Sequence, residues 1–411
     1  MSADGIYGVG PVAAHGVDVS VVIPTYNRAR ELEGTLRTLA AQDLRTDRYE
    51  VIVADDGSHD DTRAVAETDW PMPVRYVRQD DRGFRAGQAR NLGAAQAEGD
   101  VLVFFDSGMR ASHTMLSGHL AVHRAAGNPV VLGYMYGYSN DPAERLRSDE
   151  LEADVDEIIA WCGAGDRCLD ARHDNYRALD GDLGRSTVPW VYCWSGNLSV
   201  PAADFRAVGG FDEDFVGWSG EDVELGIRLH RRGLPFVVGR EAAAVEIPHE
   251  RDLDALLPSY REHAILTLRK HPDPWVELST MFWAHELDDK VWQLQPALRE
   301  RRLVAGRIPT GRAVTLAPAD GRVVVFGADA LAAAPGAALC VEPAAELLKA
   351  AAGPGAAPGT VLPQFGFRTL RAEREFDTAL LAPTLRSYPA WAVELLTAEA
   401  ERIASRTRWA G

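Results

Sequence analysis

Four short clusters in this 411-residue chain carry side chains able to bind or move charge. Asp55-Asp56-Gly57-Ser58 ends an apolar run, and a carboxylate there can accept from the ring N–H of a planar base such as uracil. The same residues also read as a turn with a helix cap, because Asp, Gly and Ser favour both. Arg28, Arg85 and Arg90 can neutralise a diphosphate, since guanidinium matches phosphate bidentately. Asp106-Ser107-Gly108 ends a second apolar run. Glu221-Asp222 is an adjacent acid pair. A positioned carboxylate that takes the proton from an attacking hydroxyl contributes about a hundred- to ten-thousand-fold. Glu221, Asp222 and Glu224 can equally begin a helix, where acids oppose the positive dipole end. The two uses are compatible, because a helix start is a rigid mount.

These clusters need strands and helices to hold them. The β-branched run at 19–23 and the helical spacing at 31–42 begin an alternation of strand and helix. Strands are predicted at 50–55, 74–77 and 101–105, with helices after Ser58 or Asp60 and at 86–99. Such alternation implies parallel strands with helices on both faces, and ligands bind beyond the carboxyl ends of such strands. Residues 139–190 break the pattern with an acidic helix followed by loop, as a lid or a surface insertion would. A strand is predicted at 190–194 and a mostly helical stretch at 253–302.

Taken together and in order, these clusters resemble the inverting family-two glycosyltransferases of the GT-A fold. The resemblance rests on Pro24-Thr25-Tyr26-Asn27-Arg28, the acid clusters above and the loop 83–91 with its Arg90-Asn91. Trp194-Ser195-Gly196-Asn197, Gly209-Gly210-Phe211-Asp212 and Gly217-Trp218-Ser219-Gly220-Glu221-Asp222 extend it. The last looks like the acceptor-side motif of galactosyl- and hexosaminyl-transferring members. The match covers about residues 18–250.

The resemblance implies a nucleoside diphosphate sugar as donor, most simply a UDP-sugar. Asp56 would take the base, supported by Asp55, Pro24 and Thr25, with Tyr26 stacking on the ring. Arg28, Arg85, Arg90, Asp106 and Ser107 would meet the diphosphate, and Arg90 stands where the family has its Arg-Asn. Asp222 would be the base, with Glu221 beside it. Trp194, Gly196, Asn197 and Trp218 would shape the acceptor side. The family holds a divalent metal, Mn or Mg, with Asp-x-Asp. Here Asp106-Ser107-Gly108 keeps the first carboxylate and loses the second, which leaves Asp106 and His249 as the implied ligands. One or two carboxylates with waters and phosphates can suffice for magnesium.

Composition limits the alternatives. A net charge of −17 makes nucleic acid a poor partner. No run of eighteen apolar residues exists, so no membrane span is expected. The acidic start is not that of a signal peptide, and four scattered cysteines fit a reduced compartment, so a cytoplasmic protein is expected. Cys162, Cys168 and His173 match no closed zinc pattern. The acceptor would be a soluble small molecule, a peptide or a glycan.

Four segments follow: a tail at 1–17, the GT-A domain at 18–250, a helical extension at 251–305, and an Ala-rich α/β domain at 306–411. In the last, Val325-Phe326-Gly327-Ala328-Asp329 and Glu342 are reminiscent of a methyltransferase or dinucleotide fold, but the Gly-x-Gly-x-x-Gly loop is missing. Docking or homodimerisation is the reading taken for it. The rivals are a catalytically degenerate scaffold, motivated by Gly108, and a bifunctional enzyme with a methyltransferase-like C-terminal domain.

Overall fold

Strand β1 (Val19–Thr25) lies in the interior of the site-bearing sheet, and its Val and Ile side chains have no solvent exposure. Each large side chain buried in this way contributes about 1.5–3 kcal/mol. The computed structural model describes residues 16–137, 146, 153–248, 252–282, 284–305, 322–327, 337, 339–341, 361–362 and 364–410. Two compact units divide the chain, 1–263 and 264–411.

In the first unit β1 is followed by α1 (Ala29–Leu39), β2 (Tyr49–Asp55), α2 (Thr62–Ala66), β3 (Val74–Arg78), α3 (Ala86–Ala94) and β4 (Val101–Phe105). Then come β5 (Met109–Ala111), α4 (Met115–Ala126), β6 (Val130–Tyr136), α5 (Val155–Ala164) and α6 (His173–Ala178). β7 (Asn197–Pro201), α7 (Ala202–Ala207), α8 (Glu221–Arg231) and β8 (Phe236–Glu246) complete the series, and α9 (Leu253–Lys270) runs across the division at residue 263. The sheet runs β3-β2-β1-β4-β7-β6-β8-β5.

Strands β3, β2, β1 and β4 pair in parallel, as the alternation implied. Beyond β4 the sheet departs from that expectation in part: β7 is antiparallel to both neighbours and β5 is antiparallel to β8, while β6 and β8 pair in parallel. The chain steps outward from β1 through β2 to β3, then returns to β4 on the other side of β1. The crevice beyond β1 and β4 is therefore a switch point, the place where such sheets bind ligands.

The strand predicted at 190–194 is instead a 3₁₀ turn, Pro189–Tyr192, and the strand starts at Asn197. Pro189 supplies no N–H and has a fixed φ, which suits a helical first turn. The apolar run is nevertheless core: Tyr192 and Cys193 are fully buried, and a Cβ at Gly226 of α8 would strike Cys193 and Trp190. Loop was expected from 163 through 187; α6 and the 3₁₀ turn Leu183–Arg185 lie there.

The second unit contains α10 (Pro274–Ser279), α11 (Ala284–Ala305) and a sheet of β9 (Val323–Phe326), β10 (Leu339–Val341), β11 (Val361–Leu362), β12 (Phe376–Leu381) and β13 (Ala404–Trp409). Its order is β11-β10-β9-β12-β13, with every pairing parallel. Glu277 of α10 is fully buried and accepts the backbone N–H groups of Phe365, Gly366 and Arg368. Asp329 and Glu342 lie outside the described residues.

Candidate active site

Beyond the carboxyl ends of β1 and β4 lies a cavity of about 270 Å³. Pro24, Thr25, Tyr26 and Arg28 line it from β1, Asp56 from β2, and Asp106 and Ser107 from β4. The loop 83–90 closes it with Gly83, Phe84, Ala86, Ala89 and Arg90.

At the end of β2 the two readings of Asp55-Asp56 divide between the two residues. Asp55 serves the turn, with Oδ1 accepting from the N–H of Gly57 and Ser58 and Oδ2 from the Tyr76 hydroxyl at 2.5 Å. Asp56 borders the cavity and is held by its neighbours. Its Oδ2 accepts the Arg85 N–H at 2.7 Å, and its Oδ1 accepts from the Gln79 amide at 2.6 Å and the Arg85 guanidinium at 3.3 Å. Arg85 is thus committed to Asp56. Ser58 and Asp60 do not cap α2 in the expected way: Ser58 Oγ accepts from Asn27 N–H, and Asp60 bridges the N–H groups of Ala29 and Thr62. Those bonds tie the first two strand-end loops together. The Thr25 hydroxyl is buried and has no hydrogen-bond partner among the described residues. Tyr26 and Phe84 are exposed aromatics on the cavity wall. Phe84 falls within the loop 83–91, where an apolar ring directly after Gly83 was the available sequence signal.

Across the cavity Arg90 projects from α3, buried to 4% exposure. Its Nη2 donates to Asp106 Oδ1 at 2.8 Å and its Nη1 to Glu221 Oε1 at 2.9 Å. Burial alone would lower the Arg90 pKa; Asp106 foremost, then Glu221, reverse this and hold it above the ordinary value. Glu221 Oε2 is buried and unpartnered among the described residues. Gly87 and Gly196 pack beside the two carboxylates: a Cβ on Gly87 would lie 3.6 Å from Glu221, and one on Gly196 would lie 3.5 Å from Asp106 Oδ2, both at ordinary contact distance.

Asp222, half-buried at the start of α8, accepts the N–H of Ser195 at 3.2 Å and of Val223 at 2.8 Å. Burial, then the Glu221 carboxylate, pushes its carboxyl up to about 7, against the pull of Arg90 and of those two N–H groups. A carboxyl held there is poised to take a proton near neutrality.

The turn before α8 is strained into place, with φ positive at Gly217, Ser219 and Gly220. His263 braces it from α9: Nδ1 lies 2.5 Å from the Ser219 carbonyl and Nε2 3.2 Å from that of Val216. Ser259 Oγ donates to the Trp218 carbonyl. Neither residue carried a signal at the sequence level, because both act from a distant helix. Trp194 is set by Arg172, whose guanidinium packs 4.8 Å from the ring centre while bonding Asp170 and the carbonyls of Tyr192 and Gly133. Asn197 is fully buried, donating to the Ala242 carbonyl and meeting His119 Nε2 at 2.9 Å. It does not line the cavity. His249 lies outside the described residues.

The donor set for a divalent ion is meagre. Among the described residues no group of three His, Cys, Asp or Glu side chains could hold one. One oxygen of Asp106 is already engaged by Arg90, and Gly108 faces the Arg28 guanidinium rather than offering a ligand. The described residues therefore do not fit a dication held by the protein.

A switch-point crevice over parallel strands, ringed by carboxylates and arginines and faced by a helix that begins with an acid pair, defines a domain of the GT-A fold. Residues 20–172 match the family model "Glycosyl transferase family 2", and residues 185–250 match "N-terminal domain of galactosyltransferase". Residues 20–172 are thus similar to glycosyl transferase family 2, as the sequence resemblance implied. The chain is 44% identical over 269 residues to validoxylamine A glucosyltransferase of Streptomyces hygroscopicus subsp. jinggangensis, covering 65% of this chain and 63% of that protein. It is 32% identical to hyaluronan synthase of Pasteurella multocida over 56% of this chain and 24% of that protein. The corresponding values for chondroitin synthase of Escherichia coli are 31%, 53% and 33%. The chain thus spans less than two thirds of the length of each of these relatives.

Proposed function

We propose that the chain is an inverting glycosyltransferase that moves a hexosyl group from a UDP-sugar to an acceptor hydroxyl. One observation carries the reading: Arg90 ties the cavity carboxylate Asp106 to Glu221, directly beside Asp222. A donor lying in the cavity would then present its anomeric carbon to the acid pair.

The chemistry follows from that juxtaposition. The nucleotide base sits against Asp56 and between the Tyr26 and Phe84 rings, with Thr25 beneath it on the cavity wall. The acceptor hydroxyl approaches over Trp218 and Trp194. Its oxygen forms a bond to the anomeric carbon on the face opposite the phosphate, its proton passes to Asp222, and the bond to the diphosphate breaks with the electron pair leaving on the phosphate oxygen. Glu221, fixed by Arg90, orients the acceptor and keeps Asp222 at a high pKa.

The resemblance to the glucosyltransferase above makes glucose the first sugar to test and validoxylamine A the first acceptor. Mixing UDP-glucose with that acceptor and the chain, then reading the product mass, should give addition of one hexose. Absence of both transfer and UDP binding would sink the assignment. We assign the C-terminal unit to docking or homodimerisation, and the protein to the cytoplasm on its scarcity of cysteine. No helix among the described residues is long and apolar enough to cross a membrane.

A further inference from the structure

Gly108 stands where a second carboxylate would complete an Asp-x-Asp pair, and its surroundings suit an anion rather than a cation. Its φ is +102°, a conformation that side chains avoid, so the backbone here is built for glycine. Its N–H is held by Thr35 Oγ1 at 3.0 Å. A Cβ at this position would point at Arg28, 3.7 Å from Nη2 and 3.8 Å from Nη1.

Two arginines line the cavity, and their charges are differently engaged. Arg90 is balanced by Asp106 and Glu221. Among the described residues Arg28 donates only a long hydrogen bond, 3.4 Å, to the Ser107 carbonyl, and no carboxylate pairs with it. An uncompensated guanidinium beside the glycine repels a dication and attracts a diphosphate, with the planar fork that phosphate oxygens match.

We propose that Arg28 takes the place of the metal: it pairs directly with the donor diphosphate, and this chain binds its nucleotide without a divalent ion. The inference rests on reading the cavity as a nucleoside diphosphate site.

Calorimetric titration of the full chain with UDP and with uridine, in EDTA, in manganese and in magnesium, separates the two claims. UDP affinity in EDTA should lie within about threefold of that in either metal. Arg28→Ala should weaken UDP about tenfold or more while leaving uridine binding and the melting temperature unchanged, because only the phosphates meet the guanidinium. Arg28→Gln should lose as much as Arg28→Ala, and Arg28→Lys should recover part. UDP binding that vanishes in EDTA, or that survives Arg28→Ala intact, would overturn the role of Arg28 but leave the nucleotide site standing. Failure of both UDP and uridine to bind in every condition would overturn the nucleotide site and this inference with it.

Discussion

The Arg90 guanidinium donates to Glu221 at 2.9 Å across 131 residues of sequence, and both side chains are buried. It is the bond that fastens α3, behind the cavity, to the helix start carrying the acid pair. Arg90→Ala would leave Glu221 buried without its cation and Asp106 without its donor. Breaking a buried pair in this way costs about 3–5 kcal/mol. Denaturant unfolding should record a loss of that order, with Arg90→Lys intermediate because a point charge cannot reach both carboxylates as a fork does. Full stability in Arg90→Ala would remove the bridge from the design.

Asp222→Asn separates chemistry from stability. Transfer should fall by about 10²- to 10⁴-fold, the contribution of a positioned base. The fold should gain, and the sign follows from linkage. The native carboxyl is raised to about 7 from an ordinary 3.8, so between those values the native state holds a proton that the unfolded chain has released. Stability contributed by Asp222 therefore declines as pH rises from about 4 to 7 and stays low above. Replacing it with a neutral amide should raise the melting temperature at pH 8 and change it little at pH 4.

The rate profile carries the same group. For wild type, log kcat/KM should climb with unit slope and level off near pH 7, since only ionised Asp222 accepts the proton. A limb near pH 4 instead would mean that the base is an unshifted carboxyl elsewhere.

The parallel half of the sheet was legible because β-branched runs alternating with helical spacing admit few other arrangements. The placement of Asp56, Asp106 and Glu221-Asp222 at strand and helix ends was legible because each directly follows an apolar run or opens a helical one. The turn at Pro189–Tyr192 was not, since a fully buried apolar run reads alike as strand or core turn until the proline is weighed. Nor could spacing distinguish the arginines. Arg90 stands beside Asn91 and its charge is balanced by two carboxylates, whereas Arg28, which lines the same cavity, has no carboxylate paired with it among the described residues. Such pairing between distant segments has no local signature.

His263 offers a test of the acceptor turn. With both ring nitrogens against carbonyls of Val216 and Ser219, it holds a backbone of three positive φ angles that aims Glu221 and Asp222. His263→Ala should reduce kcat on the order of 10- to 100-fold through lost alignment while leaving UDP affinity unchanged. An equal loss of UDP affinity would show that the brace serves the donor cavity as well.

The most direct measurement uses water as the acceptor. Proton NMR in the first minutes after mixing the chain with UDP-glucose shows which anomer of glucose is released before the two interconvert. Displacement from the face opposite the phosphate, assisted by Asp222, should give β-glucose first, with release suppressed in Asp222→Asn. Initial release of α-glucose, or release undiminished in Asp222→Asn, would contradict inversion at the acid pair.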